Sequence, residues 1–344
     1  MNLKPGTVYF IREIDLLTGH LTPYCKVGLV NSASEGDSSD RSGKHQTGNP
    51  RKLIVTHEVD SPAVSTLEKT LHRMFASHRV YGEWFDLGSE QLPAVLESAG
   101  RLAAQQREHV PTFEAAEALG DVESGDHQRP ARSEDLEWHR RYSTANRVVQ
   151  RSKKLIDSYR AILVRARDAG LDVSPFVQVR RSKPKFSKTR FRSNFPDLYD
   201  DFLVSSTSVS GTFRPSPALS PADAPLSVPA DDVEAQFGDL LRRLPEDFNL
   251  LDDAHLTYLR IIARSASALW EVDKAAAHLR VLCGDSAGIN DVVTWRRAPR
   301  ATCKLDGSAV ENAHPDEYNL SFAGDHNPQV HPRPMQPVRY SLPT

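Results

Sequence analysis

Three apolar runs open the chain, and each has the length and punctuation of a strand. They are Val8-Tyr9-Phe10-Ile11, Cys25-Lys26-Val27-Gly28-Leu29-Val30 and Lys52-Leu53-Ile54-Val55-Thr56-His57. The Gly-, Thr- and Pro-containing stretch from Leu17 to Pro23 suits a hairpin connection between the first two. From Pro62 the period changes. Val64, Leu67, Leu71, Met74 and Phe75 fall on one helical face, and Pro62 occupies a first turn, where its missing N–H costs nothing. A further helix is expected from Glu90 to Glu108. Residues 1–108 are therefore expected to form a small α+β domain, a three-stranded, mainly antiparallel sheet flanked by helices.

Beyond it the pattern predicts mainly α-helical units joined by flexible linkers. Residues 109–133 read as a linker, ending in the polar stretch Asp121 to Pro130. A long helix follows near Trp138 to Asp168, with Leu155, Ile156, Tyr159, Ile162, Leu163 and Ala166 on its apolar stripe and Gly170 as its C-terminal stop. This helix belongs to a unit spanning 134–204. Residues 205–230 are rich in Ser, Pro and Ala and read as a second linker. A second helical unit is expected over 231–322, and the tail 323–344 is expected to be disordered. The two helical units share a diffuse repeat: Asn194-Phe195-Pro196-Asp197-Leu198-Tyr199 returns 119 residues later as Ala313-His314-Pro315-Asp316-Glu317-Tyr318, and Arg180-Arg181 returns 116 residues later as Arg296-Arg297. A duplication would produce this, and so would chance recurrence of a turn-forming Pro-Asp.

Composition adds three constraints. The 344 residues suffice for two or three domains. No run of eighteen apolar residues is present to cross a membrane, and Met1 to Thr7 lacks the basic and apolar regions of a secretory signal. Cys25, Cys283 and Cys303 have no CxxC spacing and cannot all pair, which fits a cytoplasmic setting. Charge is unevenly placed. Between Gln128 and Asn194 there are 18 Lys and Arg against 6 Asp and Glu, a local +12 inside a chain of net −2. Such a segment suggests an anionic partner.

The order of motifs in the first 90 residues narrows the chemistry. Thr7-Val8-Tyr9 is followed by Lys26-Val27-Gly28, Arg41, Gln46-Thr47-Gly48-Asn49-Pro50, Leu67-Glu68 and Gly82-Glu83-Trp84-Phe85. In this order they resemble the GIY-YIG nuclease superfamily, most closely the branch common in phage and bacterial genomes, which has a lysine-containing second signature and a closing Gly-Glu-Trp-Phe. The resemblance covers about a quarter of the chain. It implies hydrolysis of phosphodiesters with one divalent metal, Mg²⁺ or Mn²⁺.

Phosphodiester hydrolysis needs an activated water, neutralisation of charge on phosphorus and stabilisation of the leaving oxygen. Mg²⁺ retains most of its waters, so one carboxylate can anchor it while it acts as a Lewis acid. The resemblance assigns that role to Glu68, at the edge of the apolar face; on an arbitrary helix a solvent-exposed Glu is the commoner outcome. Arg41 would bind the scissile phosphate through its fixed donors. His45, four residues on, would lie on the same helical face and could move a proton near neutral pH; a plain surface histidine is the alternative. Tyr9 matches the tyrosine that positions the nucleophile. Lys26 stands where the superfamily's second signature carries a tyrosine, so Lys26 is expected to bind phosphate, with Tyr9 or metal-activated water as the base. His72, one turn after Glu68, could reach phosphate or the metal's water shell, or else pack against Trp84. A zinc site built from His45, His57, His72 and His78 lacks HExxH or CxxC spacing.

In the basic middle, Arg147, Arg151 and Lys154 recur at helical spacing, and Arg180, Arg181, Lys183, Lys185, Lys188, Arg190 and Arg192 are interleaved with Phe186 and Phe191. Such residues release counterions from a phosphate backbone, and the phenylalanines could stack on unpaired bases; the bland alternative is a solvated helix face and a basic loop. The expectation is a metal-dependent endonuclease acting on DNA. One active site per chain would require a homodimer, or two successive nicks, to cut both strands. Two other readings stand beside it: an inactive nucleic-acid-binding adaptor that keeps the fold, and a nuclease component of a phage-defence or toxin system with a protein partner.

Overall fold

The computed structural model describes residues 3–32, 45–46, 51–180, 184–217, 233, 235, 237–239, 250–323 and 329–337. It is a mixed helix-and-sheet chain that opens on an antiparallel sheet. Strands β1 (Gly6–Ile14), β2 (Leu21–Asn31) and β3 (Lys52–Ser61) lie where alternation predicts them, with β1 central. The sheet has five strands rather than the expected three, in the order β3-β1-β2-β5-β4. The two additions, β4 (Arg79–Tyr81) and β5 (Trp84–Asp86), form a tight hairpin around Gly82, which takes the left-handed φ of +54°. Each is only three residues long, too short for alternation to register.

Helix α1 (Val64–Met74) lays Val64, Leu67 and Leu71 on one face of this sheet, against Val8, Phe10, Val27 and Phe85. Helix α2 (Gln91–Gly120) covers the same core with Val95, Ala99 and Ala103. It does not stop near Glu108. Instead it runs on through Pro111, and its second half buries Phe113 and Ala116 against Trp270 and Ala277. The first half of the expected 109–133 linker, through Gly120, is thus helix. The linker's remaining residues are pinned as well: Ser124 N–H donates to Arg297 O, Gly125 N–H to Asp285 O, and Arg129 bridges to Ile289.

Two long helices form the second core. α3 (Ser133–Asp168) packs along α6 (Leu250–Cys283), with Tyr159 stacked on Tyr258 at 4.9 Å and Leu155, Ile162 and Leu259 around them. Gly170 ends α3 in the left-handed conformation (φ +82°), as expected of a helix stop. Gly284 ends α6 in the same way, with φ +54°. Ala76, in the turn after α1, is buried in this second core, so the first sheet domain is seated against the long helices.

The remainder is a pair of matching units. The first has β7 (Lys185–Phe186), α4 (Lys188–Asn194), α5 (Pro196–Asp201) and β8 (Leu203–Ser210). The second has β12 (Ala298–Leu305), α7 (Gly307–Ala313), α8 (Pro315–Leu320) and β13 (Phe322–Ala323). The joints between their short helices share one backbone shape: φ −138°, ψ 65° at Phe195 and φ −136°, ψ 62° at His314. Two expectations are corrected here. Residues 205–210, expected as the start of the linker, belong to β8 and pair with β12, because small β-compatible Ser, Thr and Val residues find a partner far along the chain. The tail is not wholly without structure, since β14 (Gln329–Pro332) pairs with β6 (Val177–Arg180). A three-stranded patch of β9 (Arg214–Pro215), β10 (Gly288–Ile289) and β11 (Val293–Thr294) completes the fold. No helix among the described residues is long and apolar enough to cross a membrane.

Candidate active site

The register of β1 on β2 places Tyr9 opposite Gly28. A Cβ at position 28 would lie 2.5 Å from the Tyr9 hydroxyl oxygen, so only glycine lets the phenol cross the strand there. Tyr9 is 3% exposed, and its hydroxyl lies 3.4 Å from His45 Nε2. Pairing therefore ties together the two signatures that the sequence separates by about twenty residues. Lys26 sits two residues before Gly28, on the same face of β2.

The β2–β5 ladder ends at Lys26, which pairs with Trp84. Among the described residues no strand pairs with that edge of β2 beyond Lys26, although Val27 N–H still donates to Glu83 O, and the charged groups collect there. Lys26 is 6% exposed, so its ammonium needs a partner, and it forms an ion pair with Glu83. Arg79 Nε donates to Gly82 O at the hairpin turn, and its guanidinium lies over the Phe85 ring at 5.9 Å from the centroid. Glu68 and His72 arrive from α1, one turn apart. His72 Nε2 bonds Val27 O at 2.9 Å, and its ring packs on Phe85 at 5.1 Å rather than on Trp84.

The two carboxyl groups are pushed in opposite directions. Burial raises Glu68 to about 7, and the like charge of Glu83 adds to this, outweighing Lys26, Lys69 and Arg79. Glu83 also suffers burial, but the hydrogen bond and charge of Lys26 overcome it and hold this carboxyl below its ordinary value. Burial lowers His72 to about 4, so its ring is neutral near pH 7. The neutral ring donates its Nε2–H to Val27 O and keeps Nδ1 as acceptor. His72 thereby ties α1 to the edge of β2.

Among the described residues no three or more His, Cys, Asp or Glu side chains converge as a metal cage. The donor set at the strand edge is Glu68, which no hydrogen bond or ion pair satisfies among the described residues, with Glu83 nearby. An oxygen-ligand cation that keeps its own waters fits such a set; a four-ligand zinc site does not.

Arg41 lies outside the described residues, as do Arg181, Lys183 and the side chain of Arg180. Glu68 and His72 share the β2 edge with Lys26, Glu83 and Arg79, whereas Tyr9 and His45 meet each other at Gly28, on the sheet face that carries Ile11 and Leu53 rather than α1. Arg147 and Arg151 are half-buried on α3, and Lys154 is exposed. Lys185, Lys188, Arg190 and Arg192 are exposed around α4, where Arg190 donates to Phe322 O and Arg192 lies over Tyr199 at 5.3 Å. Phe186 and Phe191 are not a platform for bases. Phe191 is fully buried, and Phe186 stacks on Tyr318 at 4.4 Å.

Comparison with protein-family models, curated proteins and solved structures finds no match for the chain. Two members of the cluster, Glu83 and Arg79, were not among the expected site residues. Glu83 stood in the Gly-Glu-Trp-Phe string, and only the pairing of Trp84 with Lys26 reveals that it faces the lysine. Arg79 carried no sequence signal.

Proposed function

We propose that the chain is a divalent-metal-dependent endonuclease of GIY-YIG type that hydrolyses phosphodiester bonds in DNA. One observation carries this reading. Glu68, a half-buried carboxyl raised to about 7 and without a hydrogen-bonded partner among the described residues, stands beside Lys26, Glu83 and Arg79 at the edge of β2, the strand that Tyr9 crosses at Gly28. A structural carboxylate is ordinarily paired; one left unpaired at this desolvation is set up to receive a cation.

Mg²⁺ or Mn²⁺ held by Glu68 would supply Lewis-acid charge to the phosphate. Tyr9, with its hydroxyl near His45, orients the attacking water and can pass its proton to the imidazole. The water oxygen bonds to phosphorus as the bond to the leaving sugar oxygen breaks, and that oxygen takes up a proton. Lys26 serves as a cation, the role its ion pair with Glu83 already gives it. Arg79 stands close enough to both carboxyl groups to offset their charge. Arg41 would hold the scissile phosphate, as the resemblance implies.

Purified protein incubated with supercoiled plasmid should nick it in Mg²⁺ or Mn²⁺ and not in chelator, and Glu68→Ala should abolish nicking. A Glu68→Ala chain that cuts as well as wild type would remove Glu68 from the site. The ion pairing of Lys26, in place of a signature tyrosine, favours a second reading: an adaptor that binds nucleic acid without cutting it. Absence of cleavage on DNA, RNA and single strands, together with salt-sensitive binding, would establish that reading instead.

A further inference from the structure

The paired units over 185–210 and 298–323 are arranged as two copies about a local two-fold axis. Positions 186 and 203 of the first correspond to 305 and 322 of the second. Phe186 pairs with Phe322, and Leu203 pairs with Leu305. Each position thus meets the other copy's counterpart of its own partner, the reciprocity a two-fold interface requires. Buried Phe191 and Val310 occupy equivalent positions, as do Tyr199 and Tyr318 and the helix caps Ser187 and Asp306. The Pro-Asp-x-Tyr recurrence is the signature of this duplication. The two Arg-Arg pairs are not, since their spacing differs by three residues and Arg297 is fully buried, bonding Val122 O and Gly284 O.

One product of the pairing is the eight-residue antiparallel ribbon of β8 and β12. Along its middle both faces are open to solvent: Ser205 to Ser208 are exposed on β8, and Arg300, Ala301, Cys303 and Lys304 on β12, with only Thr302 half-buried. A two-stranded ribbon with both faces in water is marginal by its own energetics, which argues that it is kept for a partner. Register puts Arg300, Thr302 and Lys304 opposite Ser208, Ser206 and Val204, forming one face with a basic group toward each end. Neither strand contains Asp or Glu. The basic pair recurs in the other copy at Arg181 and Lys185, of which Lys185 is described and exposed.

We infer that the β8–β12 ribbon is a DNA-binding arm that enters the major groove of a B-form duplex, with Arg300 and Lys304 on the flanking phosphates and the small hydroxyl side chains between them toward the base edges. Paired strands about 4.8 Å apart fit a groove about 12 Å wide, and serine and threonine donate to or accept from any base pair. The deep, narrow major groove of A-form RNA would not admit the ribbon. A local two-fold in the protein also matches the dyad of a duplex. The inference rests on the nucleic-acid half of the function proposed above and needs no catalysis.

The test uses the full chain carrying Glu68→Ala, with fluorescence anisotropy on a duplex DNA of about three helical turns and on an RNA duplex of the same sequence. Adding Arg300→Ala and Lys304→Ala should weaken DNA binding about ten-fold at 0.15 M salt and flatten the log–log salt slope by about two, since each phosphate contact contributes roughly 0.9. Ser206→Glu, which places a carboxylate on the same face, should weaken it comparably. RNA duplex should bind markedly more weakly than DNA. Unchanged affinity and slope in these variants, equal affinity for RNA, or no DNA binding by the Glu68→Ala chain would each overturn the arm. Loss of plasmid nicking in wild type with ribbon-dependent binding intact would overturn only the nuclease.

Discussion

Two carboxylate–cation clusters in this chain, one fully and one partly buried, resolve their desolvation in opposite ways. At the start of α3, Asp135 is completely buried and fully matched. Arg129 forks onto both of its oxygens at 2.8 and 2.6 Å, the backbone N–H of Arg132 donates a third bond at 2.7 Å, and Arg129 also bonds Leu282 O. Burial pushes Asp135 up, yet these partners prevail and hold it below its ordinary value. At the edge of β2, Lys26 satisfies Glu83 and leaves Glu68 raised to about 7. The first cluster fastens the segment before α3 to the end of α6. The second leaves Glu68 without a hydrogen-bonded partner among the described residues, a gap that the proposed metal would fill. Burial acts on both carboxyls, and the number of hydrogen-bonded partners decides which way each is pushed.

The comparison breaks most visibly where the matched cluster is cut. Asp135→Ala should strand the Arg129 guanidinium and remove the α3 cap, costing about 3–5 kcal/mol. A thermal melt would read this as a drop on the order of ten degrees. A change below about one degree would mean that the fork contributes nothing net. Next comes Gly28→Ala, whose Cβ would force the Tyr9 ring out of place. An overpacked buried site of this kind loses about 1–3 kcal/mol, and nicking should fall at least as far as it does in Tyr9→Phe. Full activity in Gly28→Ala would show that the crossing of Tyr9 over the strand is not needed.

How far the sequence announces each cluster follows from the kind of signal involved. Three strands of the first sheet and the stripe of α1 were legible because alternation and helical periodicity are local, and Gly170 marked its helix end for the same reason. Motif order singles out Glu68, Tyr9 and Lys26 as candidates, and the structure sets Lys26 beside Glu68. Arg79 and the facing of Glu83 were not legible, because a three-residue strand has no period and its partner lies 57 residues away. The ribbon was hidden for the same reason: Ser205 to Ser208 look like linker until Ala301 to Lys304 are known to lie beside them. The aromatic residues of the basic segment misled because Phe186 and Phe191 face a core that only the second copy completes.

The sign of Glu68's contribution to stability sharpens the contrast. Its folded value lies above its ordinary value of 4.5, so the folded protein holds the proton more tightly, and stability is lost as pH rises from about 4.5 through about 7. In metal-free buffer at pH 8, Glu68→Gln should therefore be more stable than wild type by on the order of 1–2 kcal/mol, after discounting for solvent screening at this half-buried site. Near pH 4 the two should melt together. For Asp135 the sign is reversed: its contribution is present above the ordinary aspartate value and fades as pH falls through its depressed one. Equal melting of Glu68→Gln and wild type at pH 8 would mean that Glu68 is not frustrated.

The smallest expected effect separates the two causes acting on Glu68. Burial is the larger, and the negative charge of Glu83 the smaller. Glu83→Gln removes the second without altering the first, and it releases Lys26 to act on Glu68 alone. The pH midpoint for Mn²⁺ binding, followed by calorimetry, should then move acidward from about 7 by up to roughly one unit. The plateau affinity above that midpoint should also fall, because a carboxylate near the ion is gone and an unpaired ammonium repels it. The two readouts are independent. A lower plateau with an unmoved midpoint would assign Glu83 to the metal and leave burial alone to set Glu68, whereas an acid shift at constant plateau would make Glu83 a tuning group that never meets the ion.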